Sequence, residues 1–179
     1  MRKLLLLGFI LSIGISSANA QIEEGDSMIN LGVGFGITFA STSGDFNTTI
    51  PPVEASYEYA ISEKFTVGGF AGYSAAEFRS NFVGTNFGYD YTYLLAGALG
   101  NWQFVNNEKI NVYLGGKLGY VNISADEVGT AGIGFSAEAS GVVFGGQLGG
   151  RYFISDAIAI NLEAGYGISA VKAGITIKL

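Results

Sequence analysis

Residues 29–39, INLGVGFGITF, alternate strictly between large apolar and small or polar side chains. The large residues occupy every odd position from Ile29 to Phe39, and glycine, asparagine or threonine fill the even positions. A period of two predicts a β-strand with one apolar face. The class of protein depends on whether that face contacts a protein core or lipid.

The same alternation recurs along the rest of the chain. The further predicted strands comprise residues 53–61, 65–74, 89–104, 110–120, 142–154, 158–166 and 171–179. The large residues change parity within the fourth strand, and a β-bulge near Ala96 to Gly100 would reconcile its two halves. Each strand has about ten residues or more, which is the length that a tilted strand needs to cross a bilayer.

The predicted connections differ in length between the two ends of the sheet. Residues 62–64, 106–109 and 155–157 form tight polar turns, whereas residues 41–51, 75–89 and 122–140 form longer loops. Short turns at one end and longer loops at the other are typical of outer-membrane barrels. The sequence therefore predicts an all-β protein, a closed eight-stranded antiparallel up-and-down transmembrane β-barrel, with no helix and no domain boundary.

The composition favours lipid as the environment of the apolar face. Glycine accounts for 28 of 179 residues and charged residues for 13%, against about 25% charged residues in soluble domains. In a soluble, lipocalin-like barrel the water-facing side would be mostly glycine, alanine, serine and threonine. In a membrane barrel the same small residues line a narrow lumen, and closure satisfies the backbone hydrogen-bonding groups.

The chain begins with a pattern typical of a secretory signal peptide. Arg2 and Lys3 precede an apolar run from Leu4 to Ile15, and residues 18–20, Ala-Asn-Ala, fit the small-residue cleavage pattern. The apolar run is shorter than the ~20 residues that a membrane anchor needs. We expect residues 1–20 to be removed after export and residues 21–179 to form the barrel domain.

Charge and residue usage disfavour several function classes. The formal net charge is −6 and becomes −8 without Arg2 and Lys3, which disfavours nucleic acid as a partner. The chain has no cysteine and no histidine, so disulfides and the usual catalytic nucleophiles and bases are missing. The acidic residues of the predicted rim are scattered along the sequence: Asp45, Asp90, Asp126 and Glu127. We expect no enzymatic activity, no cofactor and no metal site.

Aromatic residues concentrate at the ends of the predicted strands, where they would form two interfacial girdles. The group near the longer loops comprises Phe39, Tyr73, Tyr91, Tyr93, Tyr120, Phe144 and Tyr166. The group near the short turns comprises Tyr59, Phe65, Trp102, Phe104 and Tyr152.

Six charged residues lie on the lumen-facing parity: Glu54, Glu58, Lys117, Arg151, Glu163 and Lys172. Counting residues from the short turns predicts two layers, one with Glu58 and Arg151 and one with the other four. Buried charges must be paired because an unpaired buried charge costs several kcal/mol. The main interpretation is a structural salt-bridge plug, and the alternative is a gate for ions or protons.

Two stretches resemble a known family. Residues 145–179, GGQLGGRYFISDAIAINLEAGYGISAVKAGITIKL, and 109–122, KINVYLGGKLGYVN, are similar to the small OmpA/OmpX-like outer-membrane barrels. They look most like the outer-membrane β-barrel-domain proteins of Bacteroidota that are often called the porin family. The resemblance implies a Gram-negative outer-membrane location, contact with lipid and lipopolysaccharide, and insertion by the barrel-assembly machinery. The family usually ends in an aromatic residue, which that machinery reads, whereas this chain ends in Leu179.

The leading functional hypothesis is a structural or surface-interaction protein with a plugged lumen. A narrow pore for ions or small solutes is the first alternative, although aqueous channels have ~16–18 strands, and a soluble lipocalin-like binder is the second. Loops 76–88 and 123–139 are candidate contacts for a surface protein partner. Strands prolonged above the membrane would offer an edge for strand addition there; alternatively, the loops pack over the barrel mouth.

Overall fold

The computed structural model of the protein describes residues 21–38, 46–82, 85–129 and 136–179. The strands in these ranges are β1 (Ser27–Ile37), β2 (Phe46–Ser62), β3 (Phe65–Phe82), β4 (Thr85–Asn106), β5 (Ile110–Gly129), β6 (Ser136–Phe153), β7 (Ile158–Gly165) and β8 (Ser169–Lys178). No helix within the described ranges is long and apolar enough to cross a membrane. The expected signal peptide, residues 1–20, lies outside the described residues and stays a prediction.

The strands form one closed sheet. Each strand pairs antiparallel with the next, and β1 pairs with β8 from Met28↔Lys178 to Ile37↔Ser169. This confirms the predicted eight-stranded antiparallel barrel. Closure leaves no sheet edge along the apolar part of the wall, where unpaired backbone groups would have no water to bind.

Side chains alternate between the outer face of the wall and the lumen. Along β2 from Val53 to Ala60, odd-numbered residues are exposed and even-numbered residues are buried. Large apolar residues lie on the exposed face of the other strands too, such as Leu114, Phe144 and Leu162, which are 51%, 80% and 59% exposed. The wall is therefore apolar outside, as the alternation predicted.

The two ends of the barrel differ in height. Residues 63–64, 107–109 and 154–157 connect strands at one end, which we call the turn end, and β1 starts and β8 finishes there. At the opposite end, the loop end, β4 reaches 22 residues whereas β7 has 8. Parts of β2 to β6 therefore extend beyond β1, β7 and β8. We call this extension the protruding sheet; it comprises residues 46–52, 75–82, 85–92, 122–129 and 136–140.

The protruding sheet replaces most of what the sequence pattern suggested were loops. Residues 75–89 and 122–140, which include the candidate contact loops 76–88 and 123–139, mostly continue as paired strands. Of the two alternatives for these segments, the described residues match strands prolonged above the membrane. The alternation did not mark these strands because a strand above the membrane meets water on its outer face. Its outward residues are then polar, and the alternation of large apolar with small residues stops although the hydrogen-bond ladder goes on.

The predicted β-bulge near Ala96 to Gly100 is wrong. β3 and β4 keep one continuous register from Phe65↔Trp102 to Phe82↔Thr85, and β4 shifts against β5 between Gln103 and Val105 instead. Odd-numbered residues of β4 from 93 to 103 consistently face the lumen. The large residues change parity because the lumen itself becomes apolar toward the loop end.

Candidate functional site

The first of two charged groups inside the barrel joins Glu58 to Arg151. Glu58 Oε1 and Arg151 Nη2 lie 2.5 Å apart, and both residues are 1% exposed. Three neutral donors also reach the Glu58 carboxylate: Asn30 Nδ2 at 2.8 Å, Thr66 Oγ1 at 2.7 Å and Asn101 Nδ2 at 2.9 Å. The carboxylate is thus fully hydrogen-bonded, which is the condition under which a charge can be buried.

Arg151 has two further contacts that fix its position. Its Nη1 donates to Asn111 Oδ1 at 3.3 Å, and its guanidinium lies 4.3 Å from the centre of the Tyr113 ring. A guanidinium over an aromatic face is favourable, most of all when both are desolvated. Tyr113 is itself fully buried, so this ring separates the first charged group from the second.

The second charged group lies nearer the loop end and contains two carboxylates and two ammonium groups. Lys117 Nζ lies 2.6 Å from Glu54 and 3.9 Å from Glu163, and Lys172 Nζ contacts Glu54 and lies 2.7 Å from Glu163. The Tyr113 hydroxyl donates to Glu163 at 2.5 Å. Each charge therefore has two partners of opposite sign, and the group is neutral overall.

These two groups have the membership that residue counting from the short turns predicted. Counting worked because the lumen-facing parity and the turns fix both the direction and the height of each side chain. It overlooked the neutral polar residues that complete the network, since only charged positions were considered. The same parity would have found them: Asn30, Ser56, Thr66, Asn101, Gln103, Asn111, Tyr113, Gln147, Asn161 and Thr176.

Apolar side chains occupy the lumen on both sides of the polar network. At the turn end, Ile22 and Met28 are fully buried against Phe153. Asn106 holds the backbone of Ile22 there, donating to its carbonyl at 2.8 Å and accepting from its N–H at 3.1 Å. Toward the loop end, a second cluster contains Phe70, Leu95, Leu99, Val121 and Ile168.

A small cavity lies beside the second charged group. Its volume is about 20 Å³, and its lining includes Glu54, Lys117 and Lys172 together with Tyr166 and Gly167 of the β7–β8 connection. A space of this size holds about one water molecule. In chemical terms, the site consists of mutually neutralised charges with room for little more than solvent.

The predicted interfacial aromatics fall into three sets. Those exposed on the outer wall are Tyr59, Phe65, Trp102, Phe104, Tyr120, Phe144, Tyr152 and Tyr166. Tyr73 also faces outward and is half-buried. Phe39 lies outside the described residues.

Tyr91 and Tyr93 were wrongly predicted as interfacial residues. Tyr93 is 3% exposed and packs in the lumen with Ile37 and Ala76, and Tyr91 packs against the same cluster. Both belong to the inward parity of β4, which the misplaced bulge had assigned to the outer face. Their rings stack at 6.4 Å and contribute to the apolar filling near the loop end.

The acidic residues of the rim are less scattered than their sequence positions suggested. In the protruding sheet Glu77 pairs directly with Asp90, and Asp90 with Asp126. Arg79 bonds to Asp90 at 2.6 Å and to Glu77 at 3.0 Å. Among the described residues, no group of three or more acidic side chains is arranged to hold a metal ion.

The sequence model of a family described as outer membrane protein beta-barrel domain matches residues 7–175. The chain belongs to this family. As an outer-membrane β-barrel, the protein lies in the cell outer membrane, and its apolar outer wall contacts lipid. This location excludes the soluble, lipocalin-like alternative.

Solved structures share the fold of this outer-membrane β-barrel. Ail, the attachment invasion locus protein of Yersinia pestis, in complex with the heparin analogue sucrose octasulfate, has a TM-score of 0.54 and 18% sequence identity, covering 87% of this chain and 96% of Ail. OprG from Pseudomonas aeruginosa has a TM-score of 0.58 and 12% identity, covering 90% of this chain and 99% of OprG. Identities this low establish the fold alone. No curated protein matches the chain.

The chain's single tryptophan offers a direct measurement of the lipid-facing wall. Trp102 is 46% exposed on the outer face of the barrel. We expect its fluorescence in lipid vesicles to be blue-shifted and to be quenched by lipids that carry brominated acyl chains, because the indole lies among those chains near the interface. Quenching by aqueous acrylamide but not by brominated lipid would contradict this placement.

Proposed function

We propose that this outer-membrane β-barrel is a non-enzymatic surface-interaction protein whose lumen is closed. The observation that carries the proposal is the contrast between the buried ion pairs and apolar clusters inside the barrel and a sheet that extends beyond the apolar wall. With the turn end in the periplasm, as is usual for such barrels, the protruding sheet lies outside the cell. It is then the surface that is available to other molecules.

The packing inside the barrel supports a closed lumen. The Glu58–Arg151 group, the second charged group and the apolar clusters follow one another along the axis, and the charged side chains of the two groups are at most 8% exposed. Eight strands leave an interior that side chains can fill, whereas aqueous channels occur at ~16–18 strands. A conducting path would require breaking several buried ion pairs at once, so the pore alternative has less support.

The residues present also favour a non-enzymatic role. The chain lacks histidine and cysteine, and the acidic residues Glu77, Asp90, Asp126 and Glu138 lie on the outer face of the protruding sheet rather than in a cleft. Catalytic sites need a concave, partly desolvated pocket with converging groups. The protruding sheet provides an exposed strand surface instead, which suits contact with a macromolecule.

A planar-bilayer experiment tests the closed lumen. We expect the purified, folded protein to show no steady conductance, because each lumen charge is paired and the neighbouring space holds about one water molecule. Steady single-channel currents that disappear in a folded Lys117→Ala variant would contradict this proposal. Such currents would establish instead that the second charged group lines a pore.

Site-specific photocrosslinking in intact cells tests the surface interaction. A photoactivatable amino acid at Glu138, which is exposed on β6 in the protruding sheet, is expected to give protein adducts. The matched control is the same amino acid at Leu162, which is also exposed but faces lipid. Protein adducts at neither position, or equal yields at both, would overturn the surface-interaction role.

A further inference from the structure

We propose that residues 21–26, which we call the N-terminal hook, are a removable stopper that keeps water out of the turn end of the lumen. When the hook is released, the part of the lumen below Tyr113 becomes a water-filled vestibule that opens to the periplasm and ends blindly inside the barrel. This inference goes beyond the proposed function, because the second charged group and the apolar clusters above it keep the lumen closed in either state.

The hook precedes β1 and folds back over the turn end of the barrel. Gly25 makes the reversal with a φ of +98°, a conformation that glycine adopts readily and other residues rarely do. The Gly25 N–H donates to the Ala60 carbonyl oxygen at 2.9 Å, and the Ala60 N–H donates to the Asp26 carbonyl oxygen at 2.8 Å. These bonds hold the hook beside the end of β2, with Ile22 inside the lumen.

Ile22 is the part of the hook that fills the lumen. Its side chain is fully buried, although residues 23–25, which follow it, are exposed. It packs in one cluster with Met28, Ala60, Phe153 and Ala159, each of which is at most 2% exposed. Water needs polar partners to occupy a buried space, so this apolar cluster separates the periplasmic solvent from the polar network above it.

A chain of hydrogen bonds connects the hook to the buried ion pair. Asn106 Oδ1 accepts from the Ile22 N–H at 3.1 Å and from Asn111 Nδ2 at 3.4 Å. Asn111 Oδ1 accepts in turn from Arg151 Nη1 at 3.3 Å, and Arg151 pairs with Glu58. Water that passed the hook would therefore meet amide groups first and the ion pair next, and both are groups that water solvates favourably.

The contacts of the hook allow it to leave while the barrel stays folded. The hook adds no strand to the closed sheet, so its release breaks no pairing between strands. Its ionic contacts lie close to solvent: Lys178 Nζ is 3.3 Å from Asp26 and 3.1 Å from the Gln21 carbonyl oxygen, and the Lys178 and Asp26 side chains are 16% and 22% exposed. With the signal peptide removed after Ala20, as expected, the hook is also the chain terminus, and terminal segments open at low free energy.

The loop end has a buried residue of the same kind that is held differently. Ile168 is 1% exposed in the apolar cluster near the loop end, but it lies in the connection between β7 and β8. Paired strands hold this connection on both sides, and the Tyr166 N–H also donates to the Gly146 carbonyl oxygen at 2.9 Å. Withdrawing Ile168 would strain two strands of the barrel wall, so the opening belongs to the turn end.

Cysteine accessibility in nanodiscs tests the stopper. The chain has no cysteine, so Ala159→Cys introduces a single thiol at a fully buried position beside Ile22. We expect this thiol to react slowly but completely with a charged, water-soluble methanethiosulfonate in the folded barrel, because the reaction requires the hook to open. Ile22→Ser, which removes the apolar stopper, and Gly25→Val, which strains the reversal, should each raise the rate about tenfold or more.

Two controls separate release of the hook from a general loosening of the barrel. Glu24→Ser changes an exposed residue of the same hook and should leave the rate at Ala159→Cys unchanged. Ala76→Cys places the thiol in the apolar cluster that contains Tyr93, near the loop end, and Ile22→Ser should not alter its rate. Heat-modifiable gel migration establishes that each variant is folded.

Three results would overturn the proposal. The first is a folded Ala159→Cys barrel that does not react at all, because the stopper would then be permanent. The second is an unchanged rate at Ala159→Cys in folded Ile22→Ser and Gly25→Val variants, because the hook would then not control access. The third is an equal rise at Ala76→Cys, because the opening would then not be confined to the turn end.

Discussion

Replacing Glu58 by glutamine is expected to destabilise the barrel by about 3–5 kcal/mol, the usual cost of leaving one member of a buried ion pair without its partner. Glutamine has nearly the same shape as glutamate, so little of this loss comes from packing. Arg151 would keep its charge at 1% exposure with no carboxylate beside it. In addition, an amide cannot accept hydrogen bonds from all the donors that now surround the carboxylate.

Urea unfolding in lipid vesicles, followed by heat-modifiable gel migration, measures this effect. The double variant Glu58→Gln with Arg151→Gln should recover part of the stability, because neither buried charge remains. The matched control is Arg79→Gln, which breaks a half-exposed ion pair in the protruding sheet and should change stability by ~1 kcal/mol or less. Equal effects of Glu58→Gln and Arg79→Gln would show that the lumen pair is not isolated from water.

The ion pairs of the lumen could be derived from sequence because a barrel has few degrees of freedom. Once the parity of a strand and the position of its turn are known, each side chain has a direction and a height. Glu58 and Arg151 each lie about three residues above a short turn, so a shared layer follows from counting. The family and the membrane location also follow from the pattern, since lipid demands a regular apolar face.

Two features of the fold were predicted wrongly: the register of β4 and the length of the strands in the protruding sheet. Both errors arise because apolar side chains were assumed to face outward along every strand. Tyr93 and Leu95 instead fill the lumen near the loop end, so their parity suggested a bulge that does not exist. In the protruding sheet the reverse happens, because outward residues such as Asp126 face water. The alternation there no longer marks the strand, and only the hydrogen-bond ladder reveals it.

Glycine is the residue type that most directly reflects the small radius of this barrel. Gly97 on β4 lies opposite Gly119 on β5, and both face the lumen. A Cβ atom at Gly97 would lie 2.1 Å from the Leu118 carbonyl oxygen and 2.4 Å from the Gly119 Cα. A Cβ atom at Gly119 would lie 3.1 Å from the tip of the Phe70 ring. The paired glycines therefore allow β4 and β5 to approach closely and leave room for the Phe70 ring in the lumen.

Gly97→Val is accordingly expected to prevent the barrel from closing. The added side chain meets backbone atoms, which cannot move aside without breaking the β4–β5 ladder, and overpacking of this kind costs about 3 kcal/mol or more. Gly100→Val is the matched control, because Gly100 lies in the same strand, faces outward, and has its nearest neighbouring atom 3.8 Å from a built Cβ. Both variants replace a glycine of the same strand by valine, so the loss of backbone freedom in the unfolded chain is the same for both. In a refolding experiment with lipid vesicles, Gly100→Val should show the heat-modifiable gel shift and Gly97→Val should not.

A folded Gly97→Val barrel with wild-type resistance to urea would contradict this prediction. It would mean that the lumen is wider than these contacts require. The closed interior on which the proposed function depends would then lose its main steric support.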